Sequence, residues 1–121
     1  MMFDRRKLAG DRRSAERTPA VFAVKKSFAG RISLCQAEDI GTSGITIRRP
    51  RGTTVPARAE VALEFSLPGS AEAIAARGIV VNDGVDGGFR RTGVRFIALR
   101  PDDERLIAGY CRTQPRGRTG R

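Results

Sequence analysis

Histidine and tryptophan are missing from the 121 residues, tyrosine occurs once and cysteine twice. Without histidine the chain lacks the commonest general base and metal-binding side chain. Cys35 and Cys111 stand alone, with neither zinc-type spacing nor a redox CxxC pair, and each reads as a small packing residue. A hydrolytic site would have to rest on carboxylates alone, and no pair of them is suitably placed. These absences argue against an enzyme and against a metal or cofactor. No apolar run reaches membrane-spanning length, and the first residues lack the apolar core of a signal peptide. The expectation is a cytoplasmic protein with no membrane insertion.

Lysine is also scarce. Lys7, Lys25 and Lys26 are the three lysines among 23 basic residues, which face 13 acidic ones for a net charge of +10. A field of that sign attracts nucleotides, nucleic acids, anionic lipid or an acidic protein face. Supplying it almost entirely as arginine favours forked, directed contacts over diffuse charge. Hydrophobic residues at 40% and charged ones at 30% describe one small globular domain.

Residues 1–17 hold Arg5, Arg6, Lys7, Arg12, Arg13 and Arg17 with no apolar period, and read as a flexible basic arm. From Val21 the pattern is that of strands. Val21, Ala23 and Lys25 alternate with Phe22, Val24 and Lys26 up to Phe28, and Ala29-Gly30 makes a turn. Ile32 and Leu34 share one face of the next strand, which runs to about Glu38. The connection Asp39–Gly44 leads to Ile45 and Ile47, and Pro50 with Gly52 ends that strand. Val61, Leu63, Phe65 and Leu67 alternate strictly with polar or small residues, as in a half-buried strand. A fifth strand spans Ile74 to Val81. Asn82-Asp83-Gly84 with Gly87-Gly88 marks a hairpin loop, and the sixth strand runs from Phe89 to Ile97. Pro101 suits a first helical position, and Asp102, Asp103 and Glu104 complement the positive end of the helix dipole. Leu106, Ile107 and Tyr110 give that helix an apolar stripe. Six short strands and one terminal helix predict a small closed or nearly closed antiparallel β-barrel over 18–113. Residues 114–121, rich in Pro, Gly and Arg, read as a disordered basic tail.

Two segments carry candidate chemistry. In Arg12-Arg13-Ser14-Ala15-Glu16-Arg17, the planar guanidiniums of Arg13 and Arg17 lie four residues apart and suit phosphate oxygens or the O6/N7 edge of a guanine. Alone, the segment reads first as a solvated basic tail. In Asp39-Ile40-Gly41-Thr42-Ser43-Gly44, Asp39 is an acceptor for the N1 and N2 donors of guanine. Gly41 and Gly44 are expected to let the backbone turn sharply and a flat ligand come close. Alone, that segment reads as a strand-joining turn.

Taken in order, the arginine arm, the Asp-x-x-x-x-Gly turn and Gly93-Val94-Arg95-Phe96 before the terminal helix resemble the PilZ domain family, over roughly residues 12–112. That family comprises bacterial receptors for cyclic di-GMP built on a six-stranded barrel. Its RxxxR motif is matched by Arg13 and Arg17, and its D/N-x-S-x-x-G motif by Asp39 and Gly44. The resemblance implies that Arg13 and Arg17 grip guanine edges and phosphates, that Asp39 reads a guanine, and that Gly41 and Gly44 permit close approach. Arg12 precedes RxxxR at a position that in the family bears on whether one ligand or a stacked pair binds, and an arginine there points to a stacked pair. Gly41 departs from the family, which usually has serine; the missing hydroxyl removes one hydrogen bond, about 0.5–1.5 kcal/mol net.

The implied mechanism is a switch. Cyclic di-GMP draws the arginine arm onto the barrel, and the altered surface is expected to be read by a separate, unidentified protein partner rather than by a fused output domain. Two rival readings remain. One is a degenerate PilZ docking module without ligand binding, supported by Gly41. The other is a small basic barrel that binds nucleic acid through Arg48, Arg49, Arg51 and Arg58. Against the latter, Phe65 and Phe96 lie on core-like faces, which leaves few aromatic stacking platforms.

Overall fold

The computed structural model describes residues 17–50 and 55–114. Among the described residues, six strands and one helix follow one another. They are β1 (Thr18–Phe28), β2 (Arg31–Ile40), β3 (Gly44–Pro50), β4 (Glu60–Phe65), β5 (Ile74–Asp86), β6 (Phe89–Leu99) and α1 (Pro101–Thr113). Every pairing is antiparallel, and the strands close into a barrel in the order β1-β2-β3-β6-β5-β4. Closure is made by β4 on β1, from Val24 opposite Phe65 to Ser27 opposite Ala62. A closed barrel leaves no continuous sheet edge to solvent.

The alternation seen in the sequence determines which side chains share a face. Val61, Leu63 and Phe65 of β4 point inward, 5% exposed or less, and Leu67 continues their row past the strand end. They meet Val24, Ile45, Ile47, Ile74, Val80 and Val94 in one apolar core. Phe22 packs its ring on Phe65 at 5.4 Å. Helix α1 caps this core with the fully buried Ile107, and Leu106 and Tyr110 pack beside it. The Cys111 thiol donates to the Ile40 carbonyl at 3.4 Å, so α1 is tied to the end of β2.

One expectation from the sequence is corrected. Asn82-Asp83-Gly84 is not a hairpin loop. Strand β5 runs on through it to Asp86, and the turn is Gly87–Gly88. The Asn82 side chain accepts from the Gly93 amide at 3.1 Å, and Asp83 is held by long-range partners, so residues with turn chemistry are recruited into the ladder. Ile32 and Leu34 face solvent, 67% and 70% exposed, as does Val21 at 70%. Lys26 and Arg49 are instead buried. The row carrying Val24, Lys26, Cys35 and Arg49 is the inward one, so one end of the barrel interior is polar.

Candidate ligand-binding site

The site begins with an irregularity in β2. Ala37 lies opposite Ile47 and Asp39 opposite Thr46, so β2 spends one more residue than β3 over that interval. Such a bulge re-aims side chains. Ala37 and Ile40 both face the core, three residues apart, which leaves Glu38 and Asp39 side by side off the core-facing row and half-buried.

Arg17 meets Asp39 there. Its Nη1 donates to Asp39 Oδ1 at 2.8 Å and to Thr46 Oγ1 at 3.3 Å, and both charged side chains are about one third exposed. The chain thus enters β1 with the last arginine of the basic segment laid over the start of β3. Gly44 makes this possible. A Cβ at residue 44 would stand 2.4 Å from the Val94 carbonyl oxygen and 2.9 Å from Arg17 Nη2. Glycine is required by the close approach of β3 to β6 and by the guanidinium lying over it.

The connection from β2 to β3 is held by the Gly41 amide donating to the Gly44 carbonyl at 2.9 Å and by the Phe96 amide donating to Ser43 O, also at 2.9 Å. Neither Gly41 nor Gly44 has a positive φ. The expectation that both glycines serve a sharp turn is therefore corrected: the turn uses conformations open to any residue. Gly41 is buried. Arg12 and Arg13, with the remainder of the arm up to residue 16, lie outside the described residues, as does the tail from residue 115. Of the predicted site residues, the structure brings together Arg17, Asp39, Gly41 and Gly44. It adds Thr46, which sequence reasoning missed because its position as the cross-strand neighbour of Asp39 depends on the bulge.

Beside this site, the other bulge residue, Glu38, accepts from Arg48 Nε and Arg91 Nε, both at 2.9 Å. The Arg48 guanidinium also lies 4.8 Å from the centre of the Phe89 ring, a cation–π distance. Inside the barrel, Asp83 pairs with Arg90 at 3.0 Å and Arg49 at 3.5 Å and accepts from the Thr92 hydroxyl. Burial pushes the Lys26 ammonium below the usual lysine range; Arg49 adds to the effect, while Cys35 and Asp83 oppose it. Burial likewise pushes the Cys35 thiol up. The supposed basic cluster of Arg48, Arg49, Arg51 and Arg58 is not one patch. Arg48 faces out and Arg49 in, and Arg51 lies outside the described residues. A groove of about 870 Å³ along Ala62, Ala75 and Ala98 contains none of the predicted site residues.

Among the described residues no cluster of His, Cys, Asp or Glu is suited to a metal, and no helix is long and apolar enough to cross a membrane. No curated protein sequence matches the chain. Several solved structures share its fold. The Bacillus subtilis inhibitor of motility MotI/DgrA superposes with a TM-score of 0.73 at 19% identity, covering 78% of this chain and 47% of that one. This chain therefore spans about half the length of that protein. The PilZ domain of CeSA from a cellulose-synthesizing bacterium gives 0.60 at 20% identity, covering 78% and 96%. The PilZ domain of Escherichia coli YcgR, solved with c-di-GMP, gives 0.63 at 14% identity, covering 80% and 86%. The PilZ domain family model matches residues 11–113. With a six-stranded antiparallel barrel, a terminal helix and that match over most of its length, the chain belongs to the PilZ domain family.

Proposed function

We propose that this protein is a cytoplasmic receptor for cyclic di-GMP that passes its signal on by associating with another protein. One observation carries the reading: Arg17, Asp39 and Gly44, members of two motifs far apart in sequence, stand in one constellation. A guanidinium held at the barrel surface can fork onto a phosphate or onto the O6/N7 edge of guanine. A carboxylate beside it can accept from guanine N1 and N2. Arg13 joins Arg17 on the ligand, and Arg12 lies against the second nucleotide of a stacked pair. Gly41 offers no hydroxyl, so the turn contributes less than a serine would.

In the proposed mechanism the two phosphate charges of the ligand draw Arg12 and Arg13 to the face already occupied by Arg17 and Asp39. The ligand competes for the Arg17–Asp39 contact, and the rearranged surface is what a partner reads. No step involves bond making or breaking.

A calorimetric titration with cyclic di-GMP, run beside GTP and a short single-stranded oligonucleotide, tests the reading. Saturable binding of cyclic di-GMP alone is expected, at two ligands per chain if Arg12 acts as proposed. Binding of none of the three supports a docking module that has lost its ligand, for which Gly41 is the specific indication. Binding of the oligonucleotide alone, steeply dependent on salt, supports a nucleic-acid binder.

A further inference from the structure

Arg58 has a left-handed backbone with a φ of 70°, one of two non-glycine residues with positive φ among the described residues. Arginine rarely adopts that conformation. The surrounding chain imposes it. The Arg58 amide donates to Val80 O at 2.8 Å, the Val80 amide donates to Ala59 O at 2.9 Å, and the Ala59 amide donates to Pro56 O at 3.1 Å. Strain of this kind persists only where its surroundings over-determine it, and it raises the question of what the side chain does there.

Arg95 approaches the same place from the other side. It lies opposite Ile79 in the β5–β6 ladder, whereas Arg58 bonds to β5 at Val80 on the β4 side. Two strand spacings of about 4.8 Å separate their backbones, a span that two arginine side chains cover when they lean toward each other. Both residues are exposed, and with Ala57, Ile79, Val80 and Val81 they line a cavity of about 280 Å³. No carboxylate belongs to that lining. Glu60, opposite Ile79 on β4, is engaged by Arg77 at 3.2 Å. Arg17, Arg48, Arg77 and Arg90 each reach an acidic partner. Among the described residues, neither Arg58 nor Arg95 makes a hydrogen bond or ion pair through its side chain. The cavity includes none of Arg17, Asp39, Gly41, Gly44 or Thr46.

From this geometry we infer that Arg58 and Arg95 form a phosphate subsite on the flank of β5, one that takes the phosphate group of a small molecule. Two convergent guanidinium forks call for more oxygens than the two a carboxylate offers, and a phosphate presents three or more. The apolar wall of Ile79, Val80 and Val81 leaves the two cations less screened than in open water. At about 280 Å³ the cavity is smaller than those that enclose whole drug-sized ligands, about 300–1,000 Å³, so it receives a group and not a complete dinucleotide. The phosphate is either free or part of a cyclic dinucleotide whose other half lies at Arg17–Asp39. Gly44, opposite Arg95 in the β3–β6 ladder, joins the two places. The inference stands on the cavity and does not rest on ligand binding at Arg17–Asp39.

The test uses the full chain labelled with nitrogen-15 and follows the side-chain Nε–H signals of Arg58 and Arg95 together with the backbone amides of Ile79, Val80 and Val81. Inorganic phosphate and cyclic di-GMP are titrated at constant ionic strength, with sodium acetate as control. Saturable shifts are expected with at least one of the two phosphate probes and none with acetate. Arg95→Gln and Arg58→Asn, the latter a residue that tolerates positive φ, are each expected to keep the folded spectrum and weaken that binding about tenfold or more. Shifts with inorganic phosphate that persist in Arg17→Ala assign a free phosphate. Shifts with cyclic di-GMP alone that Arg17→Ala abolishes assign the phosphate of the dinucleotide. Unmoved signals with both probes overturn the inference, as do equal shifts with acetate or undiminished binding by both variants. Cyclic di-GMP that moves Arg17 but not Arg58 or Arg95, with phosphate inert, overturns it and leaves the proposed function standing. Phosphate that moves Arg58 and Arg95 while cyclic di-GMP moves nothing supports it and removes the proposed function.

Discussion

Arg17 and Asp39 are 22 residues apart in the chain and 2.8 Å apart in the fold, joined across the start of the barrel with Thr46 accepting from the same guanidinium nitrogen. The pair is held from below by Gly44, where a methyl group would collide with both the Val94 carbonyl and Arg17. Each member is about one third exposed, so the contact is worth little to stability, about 1 kcal/mol or less. Its value lies in presenting a donor fork and an acceptor together.

If the pair receives the ligand, Arg17→Ala should weaken cyclic di-GMP about 30-fold or more, the loss of charge-assisted hydrogen bonds worth about 2 kcal/mol. The melting temperature should move little. Calorimetry beside a thermal melt checks both halves. Unaltered affinity would remove Arg17 from the site, and a collapsed melt would show that the pair is structural.

The two glycines of the turn should respond oppositely. Gly44→Ala forces a Cβ to 2.4 Å from a backbone oxygen, so strands β3 and β6 must separate; a loss of about 2–4 kcal/mol in denaturant unfolding is expected. Gly41 has no positive φ, and Gly41→Ser should fold normally. Its cyclic di-GMP affinity should stay level or rise severalfold, in line with one restored hydrogen bond of about 0.5–1.5 kcal/mol. A tenfold loss of affinity in Gly41→Ser would contradict the carried-over role of the serine position.

Asp83 is the acceptor at the centre of the polar end of the barrel, facing Arg49, Arg90 and the Thr92 hydroxyl. Removing it leaves buried cations without that carboxylate, so Asp83→Ala should cost about 3–5 kcal/mol. Equilibrium urea unfolding measures this, and a cost under about 1 kcal/mol would mean that solvent reaches the cluster.

Lys26 should make stability depend on pH. Its pKa in the folded state lies below the usual lysine value, chiefly through burial, so the unfolded chain binds its proton more tightly. Below that lowered value the full penalty of burying the cation is present. It shrinks as the pH climbs through the lowered value and vanishes above the ordinary one, about 10.4. Cys35, whose pKa burial raises, acts in the opposite sense, because the unfolded chain loses the thiol proton first. On a Cys35→Ala background, Lys26→Met should therefore stabilise the fold by about 1–2 kcal/mol near pH 7 and by less near pH 10. A gain that is constant across that range would rule out the titration.

How much of this was legible beforehand varies by element. In β4 the strict alternation of Val61, Leu63 and Phe65 agreed with its burial, because one face of the strand meets the core and the other water. The proline and three acids that open α1 marked its start, since they act on local dipoles and dihedrals. The Asn82-Asp83-Gly84 stretch misled because its turn chemistry is local, whereas its actual partners, Arg49, Arg90, Thr92 and Gly93, are brought to it by pairing across strands.

Sequence by itself determined the number and order of the strands, the terminal helix and the two motifs, all of which follow from periodicity and local residue chemistry. It did not determine which face of each strand lies inside. Alternation places Ile32 with Leu34 and Val24 with Lys26, yet the first pair is outside and the second inside. That choice was made by the closure of the barrel, which turns one face of every strand inward regardless of the cost to a single lysine. The bulge between Ala37 and Asp39 is likewise a product of strand register, and it is what sets Asp39 beside Arg17 and Thr46. Register is a property of two strands together, so only the tertiary structure could place the carboxylate against the arginine.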